Sequence, residues 1–181
     1  MGIVLYLGLY ILVLIFLFIA IVYISSLFYS LLKGAPYVPT RTLLIRDILK
    51  RSGLKKGMRF LELGCGDGRV VSIAVSDFGA TGKGIEINPM LVATARIRTW
   101  LNRVDGVELV REDVQHTELK GWNVIFLYLF PALIEKLQSR LLKECARGTV
   151  IISHGFRIPA LESRLFDTRP GTPYKTYYYR I

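Results

Sequence analysis

Three glycines at alternate positions, Gly64, Gly66 and Gly68, break the segment "FLELGCGDGRVV" between an apolar run and the start of a helical pattern. A turn of this kind lets a ligand approach the backbone, and the N-terminus of the following helix favours negative or electron-rich groups. A small adenosine-containing cofactor suits it. The nicotinamide dinucleotide fingerprint requires G-x-G-x-x-G; Gly64 and Gly66 fit, but the third place is held by Arg69, and Gly68 comes one residue early. That spacing, preceded by an acid at Glu62, argues against a dinucleotide. Asp67 reads either as the N-cap of the helix or as a cofactor contact, and Cys65 as a small residue in a tight turn. The two histidines, His116 and His154, have no ligand spacing around them, so no metal is called for.

The elements that must position this turn alternate along the chain. Thr40 is expected to cap a helix over "RTLLIRDILKRSG", with Leu44, Ile48 and Leu49 as its apolar stripe, Arg46, Lys50 and Arg51 facing away, and Gly53 as its stop. "MRFLEL" predicts a strand, Arg69 to Asp77 a helix, "GKGIEI" a strand, Pro89 to Leu101 a helix and "VELVRE" a strand. The long apolar run "NVIFLYLF" predicts a further strand, Ala132 to Cys145 a helix and "GTVIIS" a buried strand. Alternation of this kind means a Rossmann-like α/β fold, a mostly parallel seven-strand sheet covered on both faces. "SRLFDT", the turn "RPGTP" and "YKTYYYRI" predict a closing antiparallel hairpin whose tyrosines alternate between core and solvent.

In front of this domain, Ile3 to Leu32 contains no charged side chain. As a helix it would span about 45 Å, more than the ~30 Å hydrocarbon slab. It lacks the basic n-region of a secretory signal and exceeds the apolar length of one, so residues 1–32 are expected to be a retained single-pass anchor. All charged residues lie at or after Lys33, and the formal charge of +10 belongs to the remainder. Lys33, Arg41, Arg46, Lys50 and Arg51 follow the span closely, which places the folded domain on the cytoplasmic side. Two cysteines, Cys65 and Cys145, are too few for a disulfide framework. The basic balance suits anionic headgroups, and no nucleic-acid motif accompanies it. "KGAPYVPT", within residues 33–40, reads as an extended connector, and 41–181 as the domain itself.

"LELGCGDG" resembles motif I of the class I S-adenosylmethionine-dependent methyltransferases, and the succeeding segments are similar to that family's in order and spacing. The resemblance implies that Glu86 in "GIEINP" accepts both ribose hydroxyls and that Asp113 in "VREDV" reads the adenine edge, with Ile87 and Val114 beside them. Physically, a carboxylate at a strand end can accept two hydroxyl hydrogen bonds, and an acceptor near the exocyclic amine distinguishes adenine. "PYVPT", "LGCGDGR" and "SHGF" narrow the resemblance to the small protein-lysine methyltransferases, which include an archaeal broad-specificity enzyme and mitochondrial enzymes acting on the ATP synthase c subunit and the adenine nucleotide translocase. It implies that Tyr37, Pro39 and Thr40 close over the cofactor, and that Glu62, Gly64, Cys65, Gly66, Asp67 and Gly68 form the rest of its site. The chain departs from the family in "LYLFP" after the fourth strand and in its short tyrosine-rich tail.

"LYLFP" also lacks the polar, double-proline turn of enzymes that methylate adenine amines or glutamine amides, and neither cysteine stands in a Pro-Cys turn. A sulfonium methyl is already activated, so attack by a neutral amine needs alignment and desolvation more than a strong base. Tyr37 and Tyr128 are the expected orienting groups. Tyr128 and Phe130 are otherwise core aromatics of a buried strand, and His154 is either a satisfied structural residue or a third catalytic group at the carboxyl edge of the sheet. The expected activity is methyl transfer to lysines of membrane-associated proteins. A lipid or small amphiphile is the alternative acceptor, and a tethered cofactor-binding module without catalysis the third reading.

Overall fold

The computed structural model of the protein describes residues 2–32, 38–171 and 173–181. The chain opens with helix α1 (Gly2–Leu32), in which Gly2–Ser26 is long and apolar enough to cross a membrane. Its side chains from Ile3 to Phe18 are exposed all round, as expected of a helix with no protein face to bury.

Helix α2 (Thr42–Arg51) starts later than Thr40. Arg41 occupies the cap position, makes no side-chain cap bond, and lends its carbonyl to Ile45 N at 3.1 Å. Thr40 is excluded from the cap because its carbonyl is held by Arg69 Nη1 at 3.0 Å. Ile45, Ile48 and Leu49 are buried while Leu44 is only half-buried, so the stripe is centred one residue later than its spacing suggested.

Strands β1 (Arg59–Leu63), β2 (Thr81–Glu86), β3 (Val107–Arg111), β4 (Val124–Leu127) and β5 (Val150–His154) run parallel, joined through helices α3 (Arg69–Ser76), α4 (Pro89–Leu101) and α5 (Pro131–Glu144). A short 3-10 turn, Pro159–Arg164, which the sequence pattern did not reveal, leads into the hairpin of β6 (Leu165–Arg169) and β7 (Thr176–Arg180). The sheet order is β3-β2-β1-β4-β5-β7-β6, with β7 antiparallel to both neighbours. Strand order reverses between β1 and β4, so their carboxyl ends open a crevice of the kind in which open α/β sheets bind ligands.

The apolar run after Asn123 yields a four-residue strand only. Leu127 is the last residue that pairs with both Leu63 and Ser153, and once those partners end the chain peels away with Tyr128 at the crevice. The alternation expected of the terminal tyrosines does not occur: Tyr177, Tyr178 and Tyr179 are all buried. Both faces of β7 are covered, one by each of two apolar cores. Tyr178 packs into the core built on Phe60 and Ile48, and Tyr179 into the one built on Leu61 and Leu161. Two of the phenols are hydrogen-bonded, Tyr178 donating to the Ile48 carbonyl at 3.3 Å and Tyr179 accepting from Ile158 N at 2.9 Å.

Candidate active site

Beyond β1 the backbone turns through Gly64, Gly66 and Gly68, with φ of 77°, 54° and 71°. Side chains other than glycine adopt such angles at a cost of about 1–2 kcal/mol per residue. At Gly64 a Cβ would also stand 2.8 Å from Leu129 Cδ2. The turn is fastened to β2 by Gly64 N and Cys65 N, which donate to the Ile85 carbonyl at 2.9 and 2.8 Å. Gly66 N donates to Glu86 Oε2 at 2.9 Å, and Asn88 N donates to Oε1 of the same carboxylate at 2.9 Å. Glu86 is therefore fixed at the end of β2, one oxygen on the glycine turn and the other on the start of α4. Each oxygen has a second lone pair with which to accept a hydroxyl. Burial raises the Glu86 carboxyl above its ordinary value, against the lowering effect of these N–H groups.

The first acid of the motif has a different task. Glu62 lies inside the fold and accepts Val71 N at 2.8 Å, which ties the first turn of α3 back to β1. Its carboxyl is raised well above the ordinary range, chiefly by burial. Asp67 is not a helix cap. Gly68 takes that place in the left-handed conformation, while the Asp67 carboxylate is gripped by Arg69 at 2.7 Å and Arg98 at 3.1 Å. Arg69 in turn reaches the Thr40 carbonyl, so one guanidinium joins the turn to the segment before α2. Cys65 packs against Gly84, where a Cβ would come within 2.9 Å of its sulfur, and burial pushes its thiol up. A buried thiol of raised pKa is inert, in keeping with a small residue in a tight turn.

These groups surround a cleft. Val38, Pro39 and Thr40 form one wall, Glu62 and Gly64 to Asp67 the floor, Glu86 and Leu91 a second wall, and Phe126 and Tyr128 the far end. Of the residues the sequence singled out, Pro39, Thr40, Glu62, Gly64, Cys65, Gly66, Asp67, Glu86 and Tyr128 are thus brought together. Gly68, Ile87, Asp113 and Val114 lie outside this lining. Gly68 instead packs against α4, where its Cβ would meet Ala95 Cβ at 3.0 Å. The Asp113 carboxylate closes its own turn by accepting Gln115 N at 2.9 Å, and Val114 is buried in the core with Leu129 and Leu133. Tyr37 lies outside the described residues.

Past Tyr128 the cleft continues into a wider hollow that shares Val38, Pro39 and Thr40 and adds Asp47, His154, Arg169 and Tyr174. Tyr128 meets His154 edge-on at 4.7 Å between ring centres and Tyr174 at 5.7 Å. Gly155 admits the Tyr128 ring, because a Cβ there would stand 2.9 Å from Cε2. His154 pairs through Nδ1 with Thr176 Oγ1 at 2.8 Å, and burial with the nearby Arg169 lowers its pKa to about 4, so the ring is neutral near pH 7. Burial raises the Tyr128 phenol. Arg169 itself is paired with Asp47 of α2. Asp47, Arg169 and Tyr174 escaped sequence reasoning, since no local motif marks residues that reach the site from α2 and the closing hairpin. The proline-rich turn "RPGTP" was the one available signal.

A carboxylate at the end of β2, fixed beside a glycine turn next to the switch point, could hold the ribose of S-adenosylmethionine. Comparison with known proteins agrees. Residues 62–164 match the ANTKMT methyltransferase domain. The chain belongs to this methyltransferase family. A protein-lysine N-methyltransferase of Saccharolobus islandicus (strain REY15A) is 30% identical over 131 residues, covering 71% of this chain and 81% of that protein. The adenine nucleotide translocase lysine N-methyltransferase of Mus musculus is 28% identical over 125 residues, 68% of this chain and 54% of that protein, so the chain spans about half its length. Among solved structures, an RNA methyltransferase from Salinibacter ruber in complex with S-adenosyl-L-homocysteine superposes with a TM-score of 0.75 at 31% identity, over 80% of this chain and 94% of that one. The family assignment and this neighbour make the chain a class I methyltransferase that uses S-adenosylmethionine.

Proposed function

We propose that this methyltransferase is anchored to a membrane by residues 1–32, connected through 33–40 to a catalytic domain over 41–181 on the cytoplasmic side, and that its acceptors are lysine side chains of membrane or membrane-associated proteins. The observation that carries the reading is the hollow beyond the cofactor cleft, which shares Val38, Pro39, Thr40 and Tyr128 with it and sets His154 and Tyr174 against the Tyr128 ring. When bound, S-adenosylmethionine supplies a methyl group already activated on sulfonium. The protein's share is to hold, orient and dry the partners. Glu86 and the glycine turn fix the nucleoside, and Pro39 and Thr40 flank it. Tyr128, Tyr174 and the neutral His154 give the hollow an aromatic side suited to the methylene stem of a lysine, while the Asp47–Arg169 pair also lines it. An ammonium entering such a hollow loses solvation, which lowers its pKa and favours the neutral amine that can attack. Tyr128 is assigned to orient that amine, with Tyr37 as its expected partner and His154 as a positioning group.

Supporting the lysine acceptor are the names of the Saccharolobus and mouse relatives. The Salinibacter neighbour is named for RNA, and a membrane anchor would equally suit a lipid acceptor. The deciding experiment compares membranes carrying the active full-length protein with membranes carrying Gly66→Val, using labelled S-adenosylmethionine and mass spectrometry of protein, lipid and RNA fractions. Methyl-lysine found only with the active protein is expected. Label confined to lipid or to RNA refutes the lysine acceptor, and label in no fraction returns the chain to a binding module.

A further inference from the structure

Asn88 connects two parts of the molecule that are far apart in sequence. Its side chain is fully buried. Oδ1 caps α4, accepting Met90 N at 2.9 Å and Leu91 N at 3.5 Å, and it also accepts Ser26 Oγ of α1 at 2.8 Å. Nδ2 donates to the Ser26 carbonyl at 2.8 Å, so one amide grips one serine by both of its ends. The backbone N–H of the same asparagine donates to Glu86 Oε1 at 2.9 Å. A single residue thus stands between the apolar helix and the carboxylate of the cofactor cleft.

The place of this contact along α1 matters. From Ile3 to Ile24 the helix carries no polar side chain apart from tyrosine, and Ser25 and Ser26 are its first serines. At ~1.5 Å per residue the stretch Ile3 to Ile24 spans about 33 Å, close to the ~30 Å hydrocarbon thickness of a bilayer. Ser26 therefore falls at the boundary between lipid and water, and the carboxyl edge of β2 is hydrogen-bonded to that boundary. The amide of Asn88 has four hydrogen-bonding sites, and in a buried setting an unmet one is costly. Withdrawing Ser26 takes one hydrogen bond from Oδ1, which keeps Met90 N, and one from Nδ2, and so loosens the amide beside the Glu86 turn.

We propose that α1 is a positioning element of the cofactor site: the Ser26–Asn88 pair holds the turn between β2 and α4, and with it Glu86, in the ribose-binding position, and seats the mouth of the cleft at the membrane surface. The inference rests on the methyltransferase reading above. It makes Ser26 and Asn88 positioning residues, since neither lines the cleft. Coupling of this kind is reciprocal, so bound cofactor also tightens the hold of the domain on its anchor.

The test uses the full chain in nanodiscs of phosphatidylcholine and phosphatidylglycerol, titrated with S-adenosylhomocysteine by calorimetry. Ser26→Ala, which keeps α1 helical and removes the hydroxyl, is expected to weaken binding about 3–10-fold, the scale of one neutral hydrogen bond. Ser26→Thr restores the affinity to within about twofold, because its hydroxyl donates to the same acceptor. Asn88→Asp keeps the cap and still accepts Ser26 Oγ but cannot donate to the Ser26 carbonyl, so it shows a similar loss, and adding Ser26→Ala, which removes the other of the two hydrogen bonds, deepens that loss. In the absence of cofactor, amide exchange over residues 86–91 rises in Ser26→Ala while that of β5 is unchanged. Wild-type affinity together with a wild-type exchange profile in Ser26→Ala overturns the inference while leaving the methyltransferase reading intact. A wild-type chain that binds no S-adenosylhomocysteine overturns both.

Discussion

Replacing Glu86 by alanine removes three things at once, and the structure separates them. Two are internal: Gly66 N and Asn88 N each lose a carboxylate acceptor at 2.9 Å. Hydrogen bonds to charged groups contribute about 1.5–3 kcal/mol each, but both N–H groups border a cleft that admits water, so the folded protein is expected to lose only about 1–2 kcal/mol. Third, the ribose hydroxyls lose their charged acceptor, a deficit of about 2–3 kcal/mol that no water at the site fully replaces. The Kd for S-adenosylhomocysteine should therefore rise about 30–150-fold. Calorimetric titration gives that number, and thermal melting of the cofactor-free protein verifies that the variant is folded. Glu86→Gln is the companion: it keeps the size and one acceptor, turns an amide donor toward one of the two N–H groups, and should fall between alanine and wild type. A folded Glu86→Ala variant whose affinity lies within about threefold of wild type would refute the assignment of this carboxylate to the ribose.

Glu62 supplies a test in pH. Its folded-state pKa is raised well above the ordinary 4.5, so its contribution to stability is full below that value and is lost as pH rises through the folded value. Glu62→Gln, which can still accept Val71 N, should gain stability over wild type at pH 8 and lose the advantage toward pH 4; parallel denaturation curves across that range would contradict the cause given for the shift. His154 acts with the opposite sign: with a pKa lowered to about 4, it contributes stability above its ordinary 6.5 that disappears as pH falls through 4. His154→Gln should flatten the acid limb of a pH–stability profile, and an unaltered limb would count against a buried neutral ring. Gly64→Ala combines a positive φ with a 2.8 Å approach to Leu129, and should cost about 2–4 kcal/mol in urea unfolding, from backbone strain and overpacking together. Tyr128→Phe should lower kcat with little change in cofactor Kd, and the reverse pattern would place this phenol on the cofactor instead of on the amine.

The amino-acid sequence by itself determined the layered fold and the cofactor class. Those features are local. Apolar runs of strand length alternate with amphipathic helical stretches, and three glycines at alternate positions are needed wherever the backbone must turn with positive φ beneath a ligand. The place of Glu86 at the end of β2 was legible for the same reason, since the end of a strand two elements after a glycine turn is a position the chain itself counts out. Tertiary structure decided the rest. Asp67, a helix cap by its neighbours alone, is drawn off by Arg98 from α4 and by the adjacent Arg69. Asp113, at a suitable strand end, accepts Gln115 N of its own turn with one carboxylate oxygen and stands outside the cleft lining. The consecutive tyrosines of β7 point to opposite faces of the sheet and are all buried, because a core packs against each face. Tyr174 and Arg169 reach the hollow beyond Tyr128 only because that hairpin folds back over the carboxyl edge of the sheet. Ser26 meets Asn88 across 62 positions, a contact that no pattern of spacing encodes. Spacing along one element fixes which face a residue occupies, but hydrogen-bond and ion-pair partners from distant elements are chosen by packing.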